Sequence, residues 1–166
     1  ALMSDDDLER FLLPFLPLEV QEKHMLLLKR LLPFIRERIS KFSDIRDKYS
    51  DEWQYFFEYP KYSIDNLICP LNSQKKESAD IMQTKTHLSF IFSKISSVKD
   101  DEFNAEKIRS LIWDYATENG RGVVLWLTRF ARSGKNKSLD PFNLATILGK
   151  EEALKRISMA IEGLSN

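Results

Sequence analysis

The stretch Arg121-Gly-Val-Val-Leu-Trp-Leu-Thr-Arg-Phe-Ala-Arg-Ser-Gly134, followed at Asp140 by Asp140-Pro-Phe-Asn-Leu-Ala-Thr-Ile-Leu-Gly149, decides the fold class. Val123, Trp126, Leu127 and Phe130 recur at helical spacing, and Gly134 stands where a left-handed residue ends a helix. A helix turns by about 100° per residue, so Arg121, Thr128, Arg129 and Arg132 are expected on the other, polar side, with Leu125 as the exception. Asp140-Pro141 reads as an N-cap followed by the favoured first-turn proline. Leu144, Ile147 and Leu148 then point inward until Gly149 ends the helix.

The same periodicity extends in both directions. Leu154, Ile157, Ile161 and Leu164 form the stripe of a last amphipathic helix. Upstream, Asn104 caps a helix carrying Ile108, Leu111, Ile112 and Tyr115, which Asn119-Gly120 ends. A long helix is expected from about Ser78 to Ile95, with Ile81, Leu88, Phe92 and Ile95 on one face, after an irregular stretch from Pro60 to Ser73. Phe42 to Phe57 reads as one helix closing on the Trp53, Tyr55, Phe56, Phe57 and Tyr59 aromatics. Val20 to Ile39 reads as another, kinked or broken at Pro33. Ser4 to Asp7 offers caps for a first helix with Leu8, Phe11, Leu12 and Phe15, which Pro17 stops. No segment alternates as a strand does. The expected fold is all-α, a helical bundle or cage of two packed subdomains, residues 1–98 and 99–166, divided at the polar and acidic stretch Lys94 to Glu102.

Composition narrows the chemistry. The 166 residues carry 25 Lys and Arg against 25 Asp and Glu, so net charge does not announce a nucleic-acid binder. Its distribution says more: Arg121 to Leu139 holds five basic residues and no acid, and Lys29 to Lys41 holds five against Glu37 alone. Such segments could bind phosphates or could be ordinary solvated helix faces. The single Cys69 excludes an internal disulfide framework, and His24 and His87 have no ligand partner in the sequence, so surface or packing roles are expected for them. No apolar run reaches membrane-spanning length, and the start has no secretory pattern, reading instead as a cut from a longer chain. Nucleophile–base, phosphate-loop and dinucleotide-binding signatures are missing, so catalysis by this chain alone is not expected.

Leu127-Thr-Arg-Phe-Ala-Arg-Ser-Gly134, then Asp140-Pro141, then Ile147-Leu-Gly-Lys-Glu-Glu-Ala-Leu-Lys-Arg156 resembles the C-terminal end of bacterial-type glutamyl-tRNA synthetases. There a Leu-Arg-x-Ala-Leu-Thr-Gly segment leads through a Pro-bearing loop to Leu-Leu-Gly-Lys-Glu-x-x-Leu-x-Arg. Leu32-Pro-Phe-Ile-Arg-Glu-Arg38, Phe42, Tyr55 to Phe57 and Asp80-Ile-Met resemble the preceding domain, so the resemblance covers nearly the whole chain in order. Thr128 departs from the family's Leu, Arg132-Ser133 from its Leu-Thr, and the loop from Gly134 to Pro141 is slightly longer.

The resemblance implies anticodon-loop recognition by a C-terminal fragment of the enzyme that ligates glutamate to its tRNA. The partner would be glutamate tRNA, with glutamine tRNA a second substrate in some members, and the chain a cytoplasmic monomer away from membranes. The ATP and Mg of the parent enzyme would belong to the catalytic half, whose motifs are absent here, leaving no cofactor for this chain. Among the site residues it implies, Arg129 contacts a base edge or phosphate, Arg38 reads a base, and Asp140, Pro141 and Phe142 line the pocket with Arg132 nearby. Other readings stay open: Arg129 as a surface ion-pair partner, Pro141 as a helix starter, Phe142 and the Trp53 to Tyr59 aromatics as core. The rival class is a helical adaptor whose grooves bind proteins.

Overall fold

The computed structural model describes residues 3–68 and 81–166, and the chain divides into two units, Ala1–Tyr59 and Pro60–Asn166. Cys69, Pro70, the expected helix start at Ser78 and Asp80 lie outside the described residues.

In the first unit, Ser4 accepts the Asp7 N–H on its side chain at 3.2 Å and starts α1 (Asp5–Leu12), with three acids in the first turn complementing the helix dipole. A 3-10 turn, Leu13–Phe15, follows, and Pro17 then heads α2 (Leu18–Lys23). The helix expected from Val20 to Ile39 breaks at His24 rather than at Pro33. Pro33 sits inside α3 (Met25–Arg38), while His24 leaves helical geometry and sets its ring 5.9 Å from that of Phe57. Leu28, Leu31, Leu32 and Ile35, at i, i+3, i+4 and i+7, give α3 its buried stripe, packed against α1.

The single helix expected over Phe42–Phe57 is three pieces: α4 (Asp44–Asp47), a π-helical stretch Tyr49–Trp53, and α5 (Gln54–Phe57). Trp53, Tyr55, Phe56 and Phe57 are all buried. Four such residues within five positions point to every side of a helix, which one amphipathic face cannot bury, so the regular winding is interrupted.

The second unit holds α6 (Asp65–Ile68), α7 (Ile81–Ser97), α8 (Ala105–Asn119), α9 (Arg121–Ser133), α10 (Pro141–Leu148) and α11 (Lys150–Ser165). The caps read from sequence are in place. Asn104 accepts from the Lys107 N–H at 2.9 Å, and Gly120, Gly134 and Gly149 take positive φ at the helix ends. On α7 the buried stripe is Thr84, His87, Leu88, Ile91 and Ile95, with Phe92 half-buried and Ile81 exposed. His87 lies 2.8 Å from the Tyr115 hydroxyl, and its burial lowers its pKa.

The division between residues 98 and 99 is therefore not where the units part. The stripe of α7 packs on α11, α9 and α8, and Lys150 donates to the Val98 carbonyl at 2.6 Å, so the polar stretch is a turn folded back onto the second unit. At the centre, α9 touches α6, α7, α8, α10 and α11. The fold is all-α, with no strand among the described residues, and no helix among them is long and apolar enough to cross a membrane.

Candidate nucleic-acid interface

The last carbonyls of a helix have no partner within it and usually turn to water. At the end of α9 they are claimed by the protein. The Gly134 N–H donates to Phe130 O at 2.7 Å, the Tyr62 hydroxyl to Ala131 O at 3.2 Å, and Arg156 Nη1 to Arg132 O at 2.7 Å. Arg156 is 2% exposed and also donates through Nε to Glu152, one turn back on α11, at 2.9 Å. Gly134 has φ of 64°, and a Cβ there would fall 2.9 Å from that of Pro60 and 3.1 Å from the Tyr62 ring. Only glycine fits both the backbone and the space.

The tied end presents the α9–α10 loop. Arg129, half-buried in the last turn but one, donates through Nη2 to the carbonyl of exposed Asn136 at 2.6 Å. Its Nε is buried without a hydrogen-bond partner, and one of its five N–H donors accounts for that bond. The Ser133 hydroxyl accepts from the Lys135 N–H at 3.1 Å, turning the chain outward. Asp140, exposed, closes the loop: Oδ1 accepts from the N–H groups of Phe142 and Asn143, both at 3.0 Å, and Oδ2 from the Asn143 amide at 2.7 Å. An arginine, a basic loop and a capped helix start thus share one edge of the second unit.

Several expectations for this edge are corrected. Arg132 is not on a polar face but fully buried, because α9 is walled by neighbours on several sides and its last turn has no solvent side left. Its Nε donates to Thr128 O at 2.6 Å, and neither Nη atom has a hydrogen-bond partner. Burial, and then the nearby charge of Arg156, push its pKa down to about 9, with Asp140 opposing. Phe142 is buried in the core of the second unit, and Pro141 is buried as the first residue of α10. Neither lines an open pocket; each packs the helix that Asp140 caps. Val123 and Trp126 are only half-buried, while Thr128 shares the buried side.

Arg38 belongs to the first unit, where it is the last residue of α3 with 44% of its side chain exposed. Its guanidinium lies 3.6 Å from Glu52, and its carbonyl accepts from Lys48 Nζ at 2.6 Å. Arg36, about 200° away on the helix, is instead bound to Asp5 at 2.6 Å. Sequence reasoning passed over Arg156 and Tyr62. With Glu152 four residues earlier, Arg156 reads as a surface ion pair, and nothing local to Tyr62 tells that its hydroxyl reaches a carbonyl 69 residues on. Among the described residues, no group of three or more His, Cys, Asp and Glu could hold a metal ion.

A family model described as the anticodon binding domain matches residues 7–161. Glutamate–tRNA ligase of Clostridium acetobutylicum is 31% identical over 140 residues, spanning 82% of this chain and 27% of that protein. The mitochondrial glutamate–tRNA ligase of Saccharomyces cerevisiae is 29% identical over 139 residues, spanning 78% of this chain and 24% of that one. The crystal structure of a glutamate tRNA ligase from Elizabethkingia meningosepticum, in complex with its amino acid, aligns with a TM-score of 0.69 over 96% of this chain and 29% of its own. At 22% identity it speaks to the fold alone. The chain thus spans about a quarter of the length of these curated relatives.

Proposed function

The chain belongs to the anticodon-binding-domain family, and from that premise we propose that it receives a tRNA anticodon loop at the Arg129 end of α9. Anticodon bases are single-stranded, so their edges are open to a planar guanidinium that can fork two hydrogen bonds. The observation that carries this reading is the Arg129 side chain itself. It is half-buried and fixed by one bond to Asn136 O, on a helix end whose carbonyls are tied from two other elements. Such a mount holds the donor with little freedom left to lose on binding. Asp140 shapes the far side of the loop, and exposed Lys137 adds phosphate attraction within it. Arg38 is the contact assigned to the first unit, where its surface bond to Glu52 can be exchanged for RNA.

The tRNA is that for glutamate, and glutamine tRNA is the nearest competitor. The setting is a cytoplasmic enzyme that ligates glutamate to tRNA, with this chain acting as a monomeric recognition part. ATP and Mg serve elsewhere in that enzyme, and this chain alone forms no glutamyl-adenylate. The protein-interaction alternative has no support in the relatives. Hydroxyl-radical footprinting of a glutamate tRNA transcript with this chain tests the reading. Protection confined to the anticodon loop and upper stem is expected. Uniform protection along the tRNA, or none at saturating chain, would refute it.

A further inference from the structure

We propose that Arg109 and Arg121, both held over the ring of Trp113, form a clamp for the RNA phosphate backbone on the same unit as Arg129, a proposal that rests on the reading above. The Arg109 guanidinium carbon lies 4.5 Å from the Trp113 ring centroid and that of Arg121 lies 5.1 Å from it. Arg121 is further anchored by its Nε, which donates to the Thr117 hydroxyl at 3.2 Å. Both arginines are exposed, and among the described residues neither takes part in an ion pair, not even Arg109 with Glu106 one turn earlier. Among the described residues no carboxylate comes within ion-pair distance of either cation, although exposed Glu106, Asp114 and Glu118 lie on the same helix as Arg109, so an anion joining the two arginines would be favourable.

Each guanidinium carries five N–H donors, of which the Thr117 bond takes one on Arg121, and a guanidinium can grip a phosphate by two parallel bonds. The contact with Trp113 also orders two long side chains before any ligand arrives, lowering the entropic cost of binding. The surroundings are open to a bulky backbone. A Cβ built on Gly120 or Gly122, on either side of Arg121, would meet nothing within 4 Å, and the first turn of α9 carries no acid. Arg121 precedes Arg129 by eight residues on the same helix, about 12 Å along its axis and about 80° around it. A strand whose loop lies at Arg129 can therefore run its backbone past Arg121. The clamp would hold the RNA in place without reading its sequence.

The test titrates the unaltered chain, an Arg109→Gln/Arg121→Gln variant and an Arg109→Lys/Arg121→Lys variant against glutamate tRNA and an anticodon-substituted copy, across a salt series. The Gln pair should weaken both tRNAs by the same factor, roughly tenfold at low salt. It should also make the slope of log affinity against log salt about one to two units shallower. The Lys pair should keep the slope and recover part of the affinity. Melting temperatures should stay together, since both side chains are exposed. If the Gln pair binds with unchanged affinity and slope, or alters only discrimination between the tRNAs, the clamp is refuted while the Arg129 reading stands. That outcome would leave the stack to an acidic protein surface. If the unaltered chain binds neither tRNA, both readings fall.

Discussion

Two helices in this protein carry, within their last two turns, an arginine that the sequence offers to RNA, Arg38 on α3 and Arg129 on α9, and the two helix ends are held differently. In α3 the last residue, Arg38, is open to solvent, and its carbonyl is taken by Lys48, a half-buried side chain on a short neighbouring turn. In α9 the carbonyl so taken is that of Arg132, one residue before the helix's last, and the cation that takes it, Arg156, is buried on a sixteen-residue helix. The arrangement is the same, a cation on the last carbonyls, but one is an adjustable surface bond and the other is built into a core. A helix end tied in the core has less freedom to move than one held at the surface, which can adapt to its ligand. An RNA contact at the α9 end would then be fixed in place, and one at Arg38 adjustable.

The contrast breaks most readily at Arg156. Arg156→Ala removes charged hydrogen bonds from a buried carbonyl and from Glu152, and should cost about 2–4 kcal/mol. At roughly 2–4 °C per kcal/mol for a chain of this size, thermal melting should fall by roughly 5–15 °C. A loss no larger than that of an exposed residue would show that the α9 end is not tied as described. Gly134→Ala comes next. Its left-handed backbone and the approach of Pro60 and Tyr62 should cost about 1–2 kcal/mol, read as a lower midpoint in urea with an unchanged slope.

Arg132 should behave in the opposite sense. Its guanidinium is buried with both Nη atoms unpartnered, so Arg132→Met should leave stability unchanged or raise it by about 1 kcal/mol at pH 7. The pH dependence has a definite sign. Arg132 has a lowered folded-state pKa, near 9, so its charge opposes folding below that value. The penalty lifts as pH rises from about 9 towards the ordinary arginine range. Any advantage of Arg132→Met should therefore shrink between pH 8 and pH 10. A clear loss of stability at pH 7 would mean that the guanidinium is satisfied in solution. Lys48→Ala is the smallest change: losing one surface bond to Arg38 O should cost less than about 1 kcal/mol, and a larger loss would erase the difference between the two ends.

Much of this was legible in the sequence where the signals are local. Ser4, Asn104, Asp140, Gly120, Gly134 and Gly149 mark helix ends through their own side chains or lack of one, and all six stand where expected. Arg129 was placed near a turn by the same logic. What failed depended on neighbours distant in sequence. Helical spacing put Arg132 on a polar face, because periodicity assumes one buried side and α9 has several. The division sought at the polar stretch near residue 98 missed that α7 belongs with α11, and the density of aromatics from Trp53 to Phe57 hid three short helical pieces behind one helical count. The roles of Arg156 and Tyr62 arise only once α11 and the segment before α6 meet the end of α9.

The central claim is that the Arg129 end of α9 reads an anticodon loop, and one binding measurement tests it directly. The unaltered chain and Arg129→Ala are titrated against glutamate tRNA and copies substituted at each anticodon position, with melting curves run in parallel. The account predicts unchanged melting, cognate affinity weakened by about 1–3 kcal/mol, and lost discrimination at one anticodon position. Equal affinity of the two proteins for every tRNA, where the unaltered chain binds, would contradict it.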